Sequence, residues 1–288
     1  MKSSGQKAYI KDLARIDESR MDKAILEYRD INYLGDDSIE HTLDICFRGD
    51  GKIKPIVIDI HGGGFISHDK SVDRLFCNYL AQNGAVVFSV NYRLAYPEFT
   101  VMNQISDIDK AVSWVVEHAG EYGGDTNRLY IVGHSSGGVL ALAESLLCVD
   151  SKMREEYGLL PRTYSYSKVM LDCGLMHFYK NSIAYNGMRD MVFGKGYKKD
   201  PRYGYLVFEQ NEMLSKLREV TIVTNVKDEL KAMSYYMKGL LDKAGVKNSL
   251  VDSGEDGHMG ILFNSYSEDN QGIISEFVSN CSISNYSS

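Results

Sequence analysis

Leu129-Tyr-Ile-Val-Gly-His-Ser-Ser-Gly-Gly138 is the stretch from which the rest of the 288-residue chain can be read. Leu129 to Val132 is a short apolar run of the kind that forms a buried strand. Val139, Leu142, Leu146 and Leu147 then follow at helical spacing. Between them, Gly133-His134-Ser135-Ser136-Gly137 has the form Gly-x-Ser-x-Gly. A strand that turns at once into a helix leaves no room for side chains two residues either side of the serine. Such a turn is strained and lifts the serine hydroxyl clear of the sheet edge. It also aims a helix N-terminus at any negative charge that develops beside that hydroxyl. Alone the pattern is a weak signal, because an ordinary glycine-rich turn has the same form. The strand before it and the helix after it supply the context that the chemistry demands.

Outward from that stretch, the chain alternates strand and helix. Lys54 to Ile60 and Ala85 to Asn91 read as buried strands before it; Lys168 to Cys173, Val220 to Asn225 and Lys247 to Val251 follow it. Helices are expected at about Lys70 to Asn83, Gln104 to His118, Glu229 to Lys243 and Gly272 to Ser279. This rhythm predicts an α/β fold, a mostly parallel sheet with helices on both faces, in one domain spanning residues 1–288. Residues 7–30 read as one or two amphipathic helices, with Ile10, Leu13 and Ile16, then Ile25, Leu26 and Tyr28, on one face, giving an N-terminal helical segment over 1–30. Ile31 to Leu34 and His41 to Phe47 read as an edge hairpin. Residues 175–217 break the rhythm and hold Tyr179, Tyr185, Tyr197, Tyr203 and Tyr205; an insertion of that length between strands suggests a cap or lid. A structural insertion without ligand contact has the same signature.

Composition narrows the function classes. A hydrophobic content of 44% is ample for a core, and 25% charged residues is ordinary for a soluble domain. A formal net charge of −7 argues against nucleic acid as a partner. No apolar run approaches the ~20 residues of a membrane span, and Met1 to Asp30 has no apolar core of a secretory signal. Five scattered cysteines without a C-x-x-C pair fit buried thiols in a reducing compartment, so a cytoplasmic location is expected, with no disulfide or zinc.

A serine needs a base to become a nucleophile. Of the seven histidines, His258 follows the last expected strand, at the same sheet end as Ser135. His118 ends a surface helix, where it is solvated, and His177 lies in the insertion. Asp228 follows the penultimate strand and could orient the base, although an aspartate there could equally cap the next helix. Glu229 is the reserve. His61-Gly-Gly-Gly64 after the strand ending at Ile60 lets bare backbone approach a reacting carbonyl, so its N–H groups can meet an oxyanion.

His61-Gly-Gly-Gly-Phe65, Tyr92-Arg-Leu-Ala95, Asp107 with Trp114, Gly133-His-Ser-Ser-Gly-Gly138, Asp228 and His258, in that order, resemble the hormone-sensitive-lipase-like carboxylesterase branch of the α/β-hydrolase superfamily. The chain is similar also to its bacterial feruloyl/acetyl-xylan esterase and kynurenine formamidase relatives. The resemblance implies Ser135 as nucleophile, His258 as base and then acid, and Asp228 as its orienter. It implies an oxyanion hole from the amides of Gly63, Gly64 and Ser136, with His61 bracing the glycine loop and Phe65 bracing it or lining the substrate. Two residues depart from the branch's pattern: His134 stands where many members carry Asp and reads as a packing or loop residue, and His68 replaces a frequent glycine.

Taken together, these features predict a cytoplasmic serine carboxylesterase without metal or cofactor, acting on short-chain, acetyl-like esters of small molecules. The tyrosine-rich insertion fits an aromatic wall for a sugar or aryl leaving group, and tyrosines covering a core would look the same. Cleavage of an amide or formamide by the same machinery, or ligand binding without chemistry, are the alternatives. An edge strand or cap helix could mediate a homodimer, although nothing in the sequence requires one.

Overall fold

The run Lys54-Pro-Ile-Val-Ile-Asp-Ile60 is buried at all seven positions, as a central strand covered on both faces must be. It is β3 of an eight-stranded sheet in a computed structural model that describes residues 2–176 and 183–279. The other strands are β1 (Ile25–Asn32), β2 (Thr42–Arg48), β4 (Val86–Val90), β5 (Gly124–His134), β6 (Lys168–Asp172), β7 (Glu219–Thr224) and β8 (Lys247–Asp252). Their order is β1-β2-β4-β3-β5-β6-β7-β8. The β1–β2 and β2–β4 pairs are antiparallel and all later neighbours are parallel. The helices are α1 (Lys2–Leu13), α2 (Arg74–Gln82), α3 (Val101–His118), α4 (Ser136–Leu147), α5 (Ser151–Glu156), α6 (Ile183–Phe193), α7 (Pro201–Gly204), α8 (Lys231–Lys243), α9 (Gly260–Phe263) and α10 (Glu268–Ser279).

Strand alternation sorts the core into two layers. Ile56, Ile58 and Ile60 of β3, with Phe88 and Ile131 of its neighbours, pack against Ile105 and Ile108 of α3, Leu142 of α4 and Met237 of α8. Val57, Val87 and Tyr130 face the other way, against Phe76 and Leu80 of α2 and Ile274 and Phe277 of α10. The expected mostly parallel sheet with helices on both faces is therefore present. On the α2 side the sheet also carries polar residues. Asp59, Ser89 and His134, at the carboxyl ends of β3, β4 and β5, are buried beneath that helix.

Two local expectations need correction. Residues 25–30 are not helical: Ile25, Leu26 and Tyr28 belong to β1, which pairs with β2 along an edge hairpin. Their apolar spacing suits the strand equally well, since Ile25 is buried towards α2 while Tyr28 stacks on Phe47 with ring centroids 6.0 Å apart. Leu13 of the predicted apolar stripe packs against the core, but Ile10 is 60% exposed, so α1 does not dock through that stripe alone. It docks also through polar contacts on the segment after the glycine loop. The Tyr9 hydroxyl donates to Asp69 at 2.7 Å and Asp12 meets His68 Nε2 at 3.1 Å.

Within 175–217 the described residues form α6, α7 and short 3-10 turns. Tyr197 and Tyr203 close a three-ring cluster with Phe193, at centroid distances of 4.5–5.4 Å, and this cluster joins the core. These two tyrosines thus cover core. His177, Tyr179 and the side chain of Tyr185 lie outside the described residues.

Candidate active site

β5 ends at His134 and α4 begins at Ser136, leaving Ser135 as the whole turn, at φ 53° and ψ −116°. A non-glycine residue there is strained by roughly 1–3 kcal/mol and must be held by its surroundings. Its amide donates to the Asp172 carbonyl at 2.8 Å, and its carbonyl accepts from Gly138 and Leu175 at 3.1 and 3.0 Å. Glycine is required beside it on steric grounds: a Cβ on Gly137 would stand 2.2 Å from the Ile60 carbonyl oxygen and 2.4 Å from that of His61. The helix thus begins in direct contact with the end of β3.

The side chains of Ser135, His258 and Asp228 meet. Ser135 Oγ is 2.9 Å from His258 Nε2, and His258 Nδ1 is 2.8 Å from Asp228 Oδ1. Asp228 Oδ1 also accepts the Leu230 amide at 2.9 Å, a turn bond ahead of α8; the helix itself begins at Lys231 without a side-chain cap, so Asp228 is not its N-cap. Burial pushes the Asp228 carboxyl up, but the His258 hydrogen bond, the Leu230 amide and the charge of His258 outweigh it and hold it below the usual carboxylate range. Glu229, the reserve, takes no part in these bonds.

Two residues that the sequence did not single out support this arrangement. Asn225, fully buried after β7, accepts the amides of Lys227 and Gly257 on one oxygen, at 2.9 and 3.0 Å. It thereby ties the loop of Asp228 to the loop of His258. Cys173, after β6, has its sulfur within 4.8 Å of the ligating atoms of Asp228 and His258. An Asn three residues before the expected carboxylate, at a strand end, was the available signal for the first; nothing in the sequence marks the second.

The glycine loop lies against the serine: a Cβ on Gly62 would sit 3.2 Å from Ser135 Cβ. Gly63 has φ 104°, and a Cβ there would meet the Ser67 carbonyl oxygen at 2.0 Å, so the loop folds back tightly on itself. His61 is buried with Nδ1 2.8 Å from the Gly62 carbonyl, and its ring stacks on Tyr92 at 4.2 Å. Burial pushes its pKa down to about 4, so the ring is neutral and Nδ1–H donates. Tyr92 donates to the His61 carbonyl at 2.6 Å, while Ala95 and Gln104 both donate to the Phe65 carbonyl at 2.8 Å. The Phe65 amide is held by Ser136 Oγ at 3.2 Å. The Phe65 side chain is fully buried in the core, which leaves it a bracing and not a substrate-lining position.

Beside this loop a cavity of about 470 Å³ opens between α1, residues 66–69 and residues 94–99. Its lining includes Tyr9, Tyr96, Phe99 and the carboxylates Glu40, Asp69 and Glu98, without lysine or arginine. His134, expected as a packing or loop residue, is fully buried and packs edge-on against Phe76, but it also carries polar contacts that the expectation did not include. It is a strand-end side chain with Nδ1 2.8 Å from Asp172 Oδ2 and Nε2 3.2 Å from Asp59 Oδ1. Among the described residues, the donor sets close enough to share a metal ion are Cys173–Asp228–His258 and Asp59–Asp73–His134. In both, the histidine nitrogens already face hydrogen-bond partners.

Residues 57–261 match the family model described as the alpha/beta hydrolase fold. The chain belongs to this alpha/beta hydrolase family. The resemblance read from the motifs is thereby borne out, and several of the similar proteins carry esterase names. The versiconal hemiacetal acetate esterase of Dothistroma septosporum is 35% identical over 96 residues, 33% of this hydrolase and 29% of that protein. Esterase LipI of Mycobacterium tuberculosis is 40% identical over 88 residues, 30% of this chain and 27% of its own. The hydrolase thus spans less than a third of the length of either relative. Its fold is shared with esterase B of Lactobacillus Rhamnosis, at a TM-score of 0.86 and 21% identity over 96% of this chain and 91% of that one. The Pyrobaculum calidifontis esterase follows at 0.74 and 20%, over 96% and 88%. No helix among the described residues is long and apolar enough to cross a membrane.

Proposed function

We propose that this hydrolase is a serine carboxylesterase that cleaves short-chain esters through Ser135, His258 and Asp228. The observation that carries this is the unbroken hydrogen-bond path from Ser135 Oγ through both nitrogens of His258 to a buried carboxylate. As Ser135 Oγ attacks the ester carbonyl carbon, His258 Nε2 takes its proton, and Asp228 stabilises the imidazolium and fixes the tautomer. The carbonyl oxygen becomes an oxyanion, received by the amides of Gly63, Gly64 and Ser136; the last opens α4, whose first-turn N–H groups have no partners within the helix. His258 then protonates the departing alcohol, and water, activated by the same nitrogen, releases the acid. The chemistry calls for no metal or cofactor.

An acetyl-like acyl group is supported by the small acid in the name of the acetate esterase relative. Esterase B has been seen with a tributyrin phosphonate inhibitor, again a short acyl chain. For the alcohol side, the cavity beside the glycine loop offers aromatic faces and carboxylates, which favour neutral leaving groups such as acetylated sugars or aryl alcohols over anionic ones. Helix α1 walls this cavity through Gly5, Gln6 and Tyr9, and the 175–217 segment leaves the sheet beside the nucleophile, where the Leu175 amide donates to the Ser135 carbonyl. The thiols of Cys46, Cys77, Cys148 and Cys173 are unpaired, in keeping with a cytoplasmic setting.

The test is hydrolysis of p-nitrophenyl esters from acetyl upward, with a matched anilide and with Ser135→Ala beside the wild type. Turnover greatest at acetyl or butyryl, and lower by on the order of 10⁴ in the variant, is expected. Equal rates in both proteins on every ester would overturn the assignment. Faster anilide cleavage would move it to amides. Failure of a fluorophosphonate to label the wild type would indicate binding without chemistry.

A further inference from the structure

Directly beneath Ser135, on the α2 side of the sheet, lie three carboxyl groups and one imidazole with almost no access to water. Asp59 and His134 are 0% exposed, Asp172 is 0% and Asp73 is 1%. The His134 ring is clasped at both ends: Nδ1 faces Asp172 Oδ2 at 2.8 Å and Nε2 faces Asp59 Oδ1 at 3.2 Å. A carboxylate oxygen only accepts hydrogen bonds, so a ring carrying one proton would set a lone pair against a lone pair at one end. A ring carrying two protons satisfies both. Asp59 Oδ2 is filled separately, by Ser89 Oγ at 2.7 Å and Cys77 Sγ at 3.4 Å. Asp73 is different. Both of its carboxyl oxygens lack a hydrogen-bond partner among the described residues, and it lies within 4.8 Å of the ligating atoms of Asp59 and His134.

The charge balance is decisive. His134 is the only basic ion-pair partner of Asp59 and Asp172 among the described residues, and Asp73 has none. Three buried carboxylates against one imidazolium would leave two unopposed negative charges in a dry layer. Phe76, whose ring edge meets the His134 ring at 4.8 Å, adds no charge; the thiols of Cys77 and Cys173 and the rings of Tyr92 and His61 are buried, and Asp69 adds a further negative charge that acts on Asp73. A proton on Asp73 relieves the conflict.

The same cluster touches the strained turn. His134 immediately precedes Ser135, and Asp172 holds the pair twice, by its side chain on the His134 ring and by its carbonyl on the Ser135 amide. We propose that His134 is a positioning residue for Ser135: a buried imidazolium spanning Asp59 of β3 and Asp172 of β6, with Asp73 a neutral carboxyl directed at Asp59. The inference rests on Ser135 being the nucleophile only for its kinetic consequence; the protonation states stand apart from any activity. Burial lowers the pKa of His134, but the hydrogen bonds that the ring donates to Asp172 and Asp59 outweigh it and lift the ring well above its ordinary value. Burial, followed by the charge of Asp59, lifts the Asp73 carboxyl well above its own.

The test uses the full chain labelled with ¹⁵N in its histidine rings. At pH 8.5 one histidine, identified by its loss in His134→Gln, should retain two protonated ring nitrogens while solvent-exposed histidines are neutral. A neutral His134 at that pH overturns the proposal, whether or not the protein turns over esters. Asp73→Asn, which exchanges one neutral group for another of the same shape, should melt within a few degrees of wild type at pH 7. A large loss of melting temperature, or a stoichiometric divalent metal in the purified protein, would show Asp73 to be ionised and overturn the proposal. In p-nitrophenyl acetate hydrolysis, His134→Gln should lower kcat by roughly 10²-fold with KM within about twofold, since misplacing the nucleophile affects the transition state more than binding. An unchanged kcat in a folded His134→Gln protein would remove the positioning role. Should that variant not fold, the ring protonation and Asp73→Asn still decide.

Discussion

Replacing Asn225 with alanine removes a buried side chain that ties the backbones of the two loops of the active site together. Its oxygen accepts from Lys227 at 2.9 Å, on the Asp228 loop, and from Gly257 at 3.0 Å, next to His258. Asn225 itself is fully buried, so no water replaces that oxygen at no cost. Each amide left without an acceptor costs about 1–3 kcal/mol, and partial relaxation of the loops brings the expected loss to about 3 kcal/mol. For 288 residues, unfolding entropy near the midpoint is about 0.6 kcal/mol/K, so Asn225→Ala should melt roughly 5 °C below wild type. The kinetic effect should be larger, because freeing the loops lets His258 and Asp228 drift apart from a 2.8 Å contact. A misplacement of about 1 Å can cost on the order of 10² in kcat. Asn225→Asp, which keeps the acceptor, should recover most of the melting temperature but not all of the rate, having placed a second carboxylate near Asp228. Thermal unfolding and p-nitrophenyl acetate kinetics on the three proteins would check this. An alanine variant that melts within 1 °C of wild type and keeps its kcat would refute the role given to Asn225.

Gly137→Ala places a methyl 2.2 Å from the Ile60 carbonyl oxygen, where only backbone can yield. It should cost about 2 kcal/mol in stability and at least tenfold in kcat, and wild-type values in both would count against the close contact of α4 with β3. His61 has a folded pKa of about 4 against 6.5 when unfolded, so its contribution is intact above pH 6.5 and is lost as pH falls through about 4, by roughly 3 kcal/mol in all. Urea unfolding across pH 6.5 to 4.5 should therefore be less pH-dependent in His61→Gln than in wild type, by about 1.4 kcal/mol per pH unit, and parallel curves would contradict a buried neutral imidazole. Cys46, Cys77 and Cys173 are buried, and burial pushes each thiol up, so iodoacetamide should leave them unmodified until urea is added. Rapid native labelling of Cys173, read by mass spectrometry, would show that the floor beneath Asp228 is open.

The middle of the sheet was legible because β3, β4 and β6 are buried along their whole length and read as largely apolar runs: the predicted bounds of β3 are those observed, and β4, β6, β7 and the more exposed β8 differ by a residue or so. The three side chains that meet at Ser135 were legible for a topological reason. Turns after successive parallel strands gather at one end of the sheet, so a serine, an aspartate and a histidine each placed just after a strand must converge. Edge structure was harder. β1 is half exposed, and Ile25, Leu26 and Tyr28 satisfy a helical and an extended spacing alike until the partner strand is known. The docking of α1 through Tyr9 and Asp12, and the clasp of His134 by Asp59 and Asp172, depend on side chains far apart in sequence. No periodicity announces such contacts. Phe65, Tyr197 and Tyr203 show the converse: in sequence an aromatic residue near a site suits a ligand-facing or a core position equally, and these three are packed in or against the core.

Helix α1 forms one wall of the cavity beside the glycine loop while contributing nothing to the hydrogen-bond path at Ser135. Under the proposed function, bond cleavage and the choice of alcohol fall to separate tracts of the polypeptide. Changes in the first dozen residues can reshape what the cavity admits without disturbing the residues that react. A tag fused to the amino terminus would, by the same separation, alter the range of esters accepted well before it altered the rate on the smallest of them.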